Sequence, residues 1–178
     1  MNVRLGICST YSFLYGVHSF LEEARERGIK PIIGCTLTIG DSIKPAVYCF
    51  VENRQGFSLL CELLTLRNKD SEKFNPIPYL IENSFGLVLA SSDENVLKSL
   101  KGRVKRPYAA ITPFDIGAVG YGKKYNIPLA FLDNALFIEQ DDFNVHRVLC
   151  AIRELKTIGN LANEDTAGKN RIIACFQK

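Results

Sequence analysis

The chain has 178 residues, a formal net charge of +3 at pH 7, 47% hydrophobic residues and 23% charged residues. This length and balance are typical of a soluble globular domain that buries its own core. No apolar run approaches the ~20 residues that span a bilayer, and the first residues lack the apolar segment of a signal peptide. We therefore expect a cytoplasmic chain with no membrane partner, with a domain over 1–160 and a polar tail over 161–178. A net charge of +3 does not by itself indicate nucleic-acid binding.

The six cysteines are scattered along the chain and include no C-x-x-C pair. Zinc ligands usually come in such close pairs, so the spacing does not indicate a zinc site. Most of the cysteines lie in apolar strand or helix patterns. We therefore predict that they are buried free thiols of a reducing compartment.

Apolar and amphipathic segments alternate along the chain. Short apolar runs predict strands, and apolar residues at helical spacing predict helices. The first predicted elements are, in order, a strand over 3–8, a helix over 19–28, a strand over 31–37, a strand over 46–51 that is its antiparallel neighbour, a helix over 53–66 and a helical turn over 78–83. They are followed by a strand over 86–90, a helix from 91, a strand over 108–111, a helix over 112–126, a strand over 127–132 and a helix over 141–155. Residues 67–78 are polar and predict a mobile connection. The alternation predicts an α/β fold with a largely parallel sheet or a partial barrel.

Several helix ends are marked by their local sequence. Gly28 predicts the end of the first helix, because glycine readily adopts the left-handed conformation that follows a helix C-terminus. Ser19 and Ser91 each precede a glutamate by three residues, which is the pattern of a capping box. Thr112, followed by Pro113, predicts another helix start. The residues predicted to face inward from the final helix are Phe143, Val148, Leu149 and Ile152.

The densest basic stretch of the chain lies between the predicted strands at 86–90 and 108–111. It consists of Lys98, Lys101, Arg103, Lys105 and Arg106. Such a run can bind phosphate groups, but it can equally be a solvated helix end, where the helix dipole favours cations. Aromatic residues are sparse there, so base stacking is not indicated.

A polar pair, Asp133 and Asn134, closes the apolar segment 127–132. The C-terminal ends of strands are where α/β proteins place ligands, which makes Asp133 a candidate functional residue. The alternative is an ordinary turn after the strand. The only histidines, His18 and His146, lie in predicted helices and indicate no catalytic arrangement.

Five segments follow one another in an order that is specific when taken together. They are CSTYSFLYG at 8–16, the helix–strand join that runs from Phe20 through GIKPIIG to Cys35, VENRQGF at 51–57, IPLA at 127–130, and HRVLCAI at 146–152 followed by Lys156 and Thr157. Together they resemble the PHP (polymerase and histidinol phosphatase) domain at the N-terminus of bacterial DNA polymerase III alpha subunits. The likeness is greatest to the error-prone, mutagenesis-associated branch. The resemblance implies a distorted (β/α)7 barrel of the TIM-like PHP type.

Active members of this family hold several metal ions with His, Asp, Glu and Cys ligands and hydrolyse phosphoesters, in some polymerases as a proofreading step. The resemblance places most of the ligand positions on residues that do not bind metal. The two histidines of the first motif fall on Gly6 and Cys8, a glutamate on Thr36, a histidine on Ala46, a further ligand on or near Asp93, and the final Asp-x-His on Asn134 and Leu136. Cys8 and Asp93 alone could ligate, and two such groups do not make a multinuclear site.

The resemblance also implies a missing unit. Members of the family have a further helix and strand between the positions of Gly16 and Val17, so we expect an incomplete, open or rearranged barrel. Alternatively, residues 8–16 correspond to the second family motif and the first motif is lost. The polymerase palm, thumb and fingers have no counterpart in the chain.

We therefore expect a catalytically inactive PHP-like domain with a structural or protein-binding role in DNA replication or repair. It would have no catalytic residue, no metal and no cofactor, and its partners would be the remaining polymerase subunits or fragments. The remnant pocket would consist of Cys8, Thr36, Asp93, Asp133 and Asn134. One alternative is a metal-dependent phosphoesterase or 3′–5′ exonuclease with a rearranged site of Cys8, Asp93, Asp115 and Asp133. The other is a phosphate- or nucleic-acid-binding module that uses Lys101, Arg103, Lys105 and Arg106.

Overall fold

A computed structural model of the chain describes residues 21–40, 42, 44–112, 116–132, 141–153 and 155–162. The predicted strand over 3–8 and the predicted capping box at Ser19 lie outside the described residues. The chain divides into two compact units, residues 1–132 and residues 133–178. The domain boundary at residue 160 stays a prediction.

Strands and helices alternate through the first unit. Residues 21–26 are helical and form α1. The elements that follow are β1 (Gly34–Leu37), β2 (Val47–Val51), α2 (Arg54–Lys69), α3 (Pro76–Glu82), β3 (Leu87–Ser91), α4 (Glu94–Leu100), β4 (Pro107–Ile111), α5 (Ala118–Tyr125) and β5 (Leu129–Phe131). The second unit contains α6 (Asp142–Arg153) and a short 3-10 helix at Ile158–Asn160. The order confirms a mixed α/β fold.

The five described strands form one mixed sheet in the order β1-β2-β3-β4-β5. The pairs β1–β2 and β2–β3 are antiparallel, and the pairs β3–β4 and β4–β5 are parallel. The antiparallel pairing of β2 with β1 is confirmed, whereas the prediction of a largely parallel sheet is wrong for this part of the chain. None of the described residues between β1 and β2 is helical, and the nine residues of this connection are fewer than the dozen or so that a crossover between parallel strands needs.

Four helices of the first unit pack on one face of the sheet, which we call the helix face. Successive strand residues point to opposite faces, so one alternate set of side chains meets the helices. The main core contains Cys35, Leu37, Val47, Cys49, Leu87 and Leu89 from the strands, with Leu60 and Leu63 of α2, Ile77 and Leu80 of α3, and Val96 and Leu100 of α4. Ala109 of β4 packs in a second cluster with Leu97, Ala118 and Ile127, which adds α5 to the same face.

The opposite face of the sheet, which we call the inner face, carries the other alternate set of side chains. Its buried members are Tyr48, Ala90, Ala110 and Leu132, with Phe50 and Tyr108 partly buried against them. This face is thus apolar and aromatic at its centre. No described helix contributes to this cluster.

The glycine stop at the end of α1 is confirmed. Gly28 has a φ of +63°, in the left-handed region. Its N–H donates to the carbonyl of Arg25 at 3.1 Å, and the N–H of Ile29 donates to the carbonyl of Ala24 at 2.8 Å. These two bonds form a Schellman motif, which satisfies carbonyl groups that the helix end would leave free. The strand that follows is shorter than predicted, since only residues 34–37 pair with β2.

The connection predicted over 67–78 is more ordered and more apolar than its sequence indicates. α2 continues to Lys69, and α3 begins at Pro76 behind the cap Asn75, whose side chain accepts the N–H of Ile77 at 3.0 Å. Phe74 is buried in the main core. The prediction of a polar, irregular segment is therefore wrong, because one aromatic residue anchors it to the sheet.

The predicted start of α5 is also wrong. The helix begins at Ala118 behind Gly117, which makes no side-chain cap bond. Thr112 instead forms an isolated bridge directly after β4 and is buried. Pro113 and Asp115 lie outside the described residues. The end of the helix agrees with the prediction, because Asn126 follows it with a φ of +53°.

In the second unit, α6 buries a different side from the predicted one. Val148, Leu149 and Ile152 are 42%, 60% and 66% exposed, whereas Cys150 and Ala151 are buried. Helical periodicity predicts an apolar stripe on the helix. It does not predict whether other segments of the chain pack against that stripe. Within the described residues, no helix is long and apolar enough to cross a membrane.

Candidate functional site

The C-terminal ends of the parallel strands meet at one edge of the sheet, which we call the carboxyl edge. Leu37 of β1 pairs with Val47 at the start of β2, and Ser91 at the end of β3 pairs with Ala109 of β4. Thr36, Ala46 and Asp93 therefore lie on segments that reach the same edge. Cys8, Asp133 and Asn134 lie outside the described residues, so the remnant pocket is described only in part.

A buried hydroxyl joins the segments at this edge. Ser91 is fully buried, and its Oγ donates to the carbonyl oxygen of Ala46 at 2.6 Å. The same Oγ accepts the N–H of Asp93 at 3.1 Å. The predicted capping box at Ser91 is therefore wrong: β3 extends through Ser91, and its side chain binds β2 and the approach to α4 instead of the helix start.

Asp93 is the residue that caps α4. Its Oδ1 accepts the N–H of Asn95 at 2.8 Å and the N–H of Val96 at 3.0 Å. Such a cap satisfies backbone donors that the first turn of a helix leaves free, and the helix dipole favours a negative charge there. The carboxylate that the resemblance offers as a metal ligand thus has a structural role in α4.

The neighbouring carboxylate, Glu94, is also engaged. Its Oε1 accepts hydrogen bonds from Lys124 Nζ at 2.6 Å and from Tyr125 Oη at 2.8 Å. The hydrogen bond from Lys124, followed by that from Tyr125, lowers the pKa of the Glu94 carboxyl. This side chain therefore ties α4 to the C-terminal end of α5, and the second carboxylate after β3 is committed to helix packing.

Thr36 and Ala46 complete the described part of the edge. Thr36 is half-buried and pairs with Tyr48, and the N–H of Ala46 donates to the carbonyl of Leu37 at 2.8 Å. A multinuclear metal centre needs several carboxylate and imidazole ligands that converge, and these two side chains supply neither. No group of three His, Cys, Asp or Glu side chains among the described residues could hold a metal ion. This part of the edge does not fit the metal site of the active family members.

None of the described cysteines forms a disulfide bond, and most of them are buried, as predicted. Cys35, Cys49 and Cys150 are buried and Cys61 is partly buried, and burial raises the pKa of the Cys61 thiol. In the second unit, Cys150 Sγ lies 3.3 Å from His146 Nε2, one helical turn away on α6. Two such groups on one helix are too few for a metal site.

The opposite edge of the sheet, which we call the amino edge, holds most of the predicted basic stretch. Arg103, Lys105 and Arg106 line a cavity of about 430 Å³ together with Glu52 and Phe85. Lys101 does not line it, and its Nζ lies 5.7 Å from the ring centroid of Tyr125. The structure therefore brings together three of the four predicted phosphate-binding residues.

A second cavity, of about 330 Å³, opens on the inner face and was not predicted. Its lining includes Phe50, Val88, Ala90, Tyr108 and Ala130. The register places Ala90 between Tyr48 and Tyr108, and Ala110 beside Ala130. The space between these side chains depends on the strand pairing, so the cavity could not be predicted from the sequence.

We predict that Ser91→Ala lowers the free energy of unfolding by about 1–3 kcal/mol, because it leaves a buried carbonyl of Ala46 without its donor. The matched control is Ser92→Ala, which should change stability by less than about 0.5 kcal/mol. Urea unfolding followed by circular dichroism measures both. Equal stability of the two variants would contradict the role assigned to the Ser91 hydroxyl.

Replacement of Asp93 separates a helix cap from a metal ligand. We expect Asp93→Ala to destabilise the protein by about 1 kcal/mol, and Asp93→Asn to retain most of the stability, because asparagine caps helices about as well as aspartate. Both unfolding midpoints should be the same with and without added Mn²⁺. A midpoint that rises with Mn²⁺ in the parent chain but not in Asp93→Asn would show that the carboxylate binds metal.

Comparison with known proteins assigns a large part of the chain to one family. A PHP domain family model matches residues 3–116, which is more than half of the 178-residue chain. The match ends before the segments at 127–130 and 146–152 that also resemble the family. A search of curated proteins finds no match. From its match over residues 3–116, the chain belongs to the PHP domain family.

Proposed function

We propose that the chain is a catalytically inactive PHP domain, related to the N-terminal region of bacterial DNA polymerase III alpha subunits, with the error-prone branch most similar. Its role is structural or protein-binding within a cytoplasmic assembly for DNA replication or repair. The proposal rests on one observation above all. The described part of the carboxyl edge uses its carboxylates for helix capping and helix packing, while Thr36 and Ala46 stand at ligand positions.

The state of Asp93 supports inactivity most directly. Two backbone N–H groups already bind one carboxylate oxygen, at 2.8 and 3.0 Å. To bind a metal ion as well, the Asp93 carboxylate would have to keep its two hydrogen bonds to α4 and coordinate the metal with its remaining lone pairs. The neighbouring Glu94 cannot take its place without breaking its bonds to Lys124 and Tyr125.

The proposal includes a distorted, incomplete (β/α)7 barrel. Support comes from the run β3-α4-β4-α5-β5, in which parallel strands alternate with helices on one face. That is the repeating unit of a TIM-like barrel, where the opposite face of the strands lines the interior. The apolar inner face of the sheet, with Tyr48, Ala90 and Ala110 at its centre, suits such an interior.

Exposed apolar side chains support a protein-binding role. Leu129 and Phe131 on β5 are 45% and 64% exposed, and Ile116 is 71% exposed. Leu129 and Phe131 lie two residues apart on one strand, and exposed apolar groups that adjoin one another are commonly covered by a partner protein. We propose that the partners are the remaining polymerase subunits or fragments, in keeping with the likeness to polymerase III alpha.

The rival proposal is a phosphoesterase or 3′–5′ exonuclease with a rearranged metal site of Cys8, Asp93, Asp115 and Asp133. Only Asp93 of these lies among the described residues, and its carboxylate caps α4. No observation on the described residues favours this rival.

The test is an assay of the purified full chain on a phosphodiester substrate with Mn²⁺ or Zn²⁺ added. We expect no metal-dependent turnover above that of the matched variant Asp133→Ala, because the converging ligands are missing. Metal-dependent turnover that Asp133→Ala abolishes would overturn the proposal in favour of the rearranged site.

A further inference from the structure

We propose that the amino edge of the sheet binds a nucleotide unit, that is, a base attached to a phosphate group. The site is formed by the basic loop over 102–106 and by the turn over 84–87, which meet at the cavity of about 430 Å³. This binding function is independent of the proposed loss of metal chemistry, because the site lies at the other end of the strands.

The cavity combines two kinds of group that a nucleotide needs. Arg103, Lys105 and Arg106 supply positive charge, and Phe85, which is 61% exposed, supplies an aromatic face. Cations bind the phosphate, and an aromatic ring stacks on a base of any sequence. The volume lies within the range of small-molecule sites, which is roughly 300–1,000 Å³.

The turn that carries Phe85 is fixed by backbone contacts. The N–H of Leu87 donates to the carbonyl of Ser84 at 3.0 Å, and Gly86 has a φ of +80°. These are features of a type II turn, whose third residue needs a positive φ. The carbonyl of Gly86 also accepts the N–H of Glu52 at 2.8 Å. Phe85 is therefore presented to solvent by a turn that is held on β2.

Close packing below the turn prevents it from moving inward. A side chain on Gly86 would collide with the side chain of Asn53, and a side chain on Gly56 would collide with the backbone of Gly86. The turn thus rests directly on the first turn of α2. Because the backbone of the turn is already fixed, ordering costs on stacking are confined to the side-chain torsions of Phe85.

The basic loop is anchored in a comparable way. Val104 is buried in the main core, so its neighbours Arg103 and Lys105 are held at the surface. The N–H groups of Arg103 and Val104 both donate to the carbonyl of Leu100 at 3.1 Å. The two cations therefore project from an ordered loop beside the cavity.

Two carboxylates in the cavity narrow the class of ligand. Arg106 Nη1 lies 3.2 Å from Glu52 Oε1 in an ion pair whose members are 54% and 48% exposed, and Glu82 also lines the cavity. This pair uses one of the five guanidinium donors, so Arg106 can still bind phosphate. The carboxylates disfavour a highly charged anion, and they can accept hydrogen bonds from the amino groups of a base. A single phosphate with an attached base fits better than inorganic phosphate or a polyphosphate.

Binding is measured with the full chain at low and at raised salt, by calorimetry for adenosine monophosphate and by fluorescence anisotropy for a labelled oligodeoxyadenylate, because adenine carries the amino group that the carboxylates can bind. We expect saturable binding that weakens as salt rises. Tighter binding of the oligonucleotide would identify a single strand as the source of the unit, and equal binding would identify the free nucleotide. An absence of binding to both ligands would overturn the proposal.

Two variants test the two halves of the site. Phe85→Ala should weaken binding about tenfold through the loss of stacking. Lys105→Ala should weaken binding and reduce its salt dependence, whereas the matched control Lys101→Ala should leave binding unchanged, because Lys101 does not line the cavity. All three side chains are exposed, so equal unfolding midpoints will show that the variants fold.

Competition between ligands tests whether the cavity recognises the base. If inorganic phosphate or a phosphopeptide competes as well as the mononucleotide, and Phe85→Ala binds like the parent chain, the cavity recognises a phosphate alone. If Lys101→Ala has the same effect as Lys105→Ala, binding is a property of the surface charge and the cavity is not a site.

Discussion

The buried hydrogen bond from Ser91 to the carbonyl of Ala46 holds together the edge at which this fold would place its chemistry. One hydroxyl fixes the end of β3 against the start of β2 at 2.6 Å and also accepts the N–H of Asp93, from which α4 begins. Asp93 in turn caps α4, and Glu94 in the first turn of that helix binds Lys124 and Tyr125 of α5. Polar groups at the carboxyl edge are thereby directed toward one another and the backbone.

The two edges of the sheet differ in what their polar groups do. At the carboxyl edge, Asp93 binds backbone N–H groups, and Glu94 binds a lysine and a tyrosine of α5. At the amino edge, Arg103 and Lys105 lie at the surface beside an exposed aromatic ring. A PHP scaffold that has lost metal ligands at one end can keep its sheet and helices, because the core on the helix face does not depend on those ligands. The same scaffold can then bind a ligand at the amino edge of the sheet.

The sequence predicted those features that local chemistry determines. Gly28 ends α1 through a left-handed conformation and two nearby bonds, and Asn53 begins α2, so both could be found without tertiary structure. The cap of α4 could not, because Ser91 belongs to β3 through its pairing with Ala109 and its hydroxyl binds Ala46, 45 residues away in the sequence. The sequence predicted the basic residues of the cavity at the amino edge but not Phe85. Phe85 lies near those residues only because β3 pairs with β4 in the folded chain.

We propose that the carboxyl edge of this PHP domain binds no metal ion. Equilibrium dialysis of the purified full chain against Mn²⁺, followed by elemental analysis, tests it most directly, since Mn²⁺ prefers carboxylate and imidazole ligands to isolated thiols. The account predicts no stoichiometric Mn²⁺ in the parent chain and the same background level in Asp93→Asn. Stoichiometric Mn²⁺ in the parent chain that is lost in Asp93→Asn would contradict it.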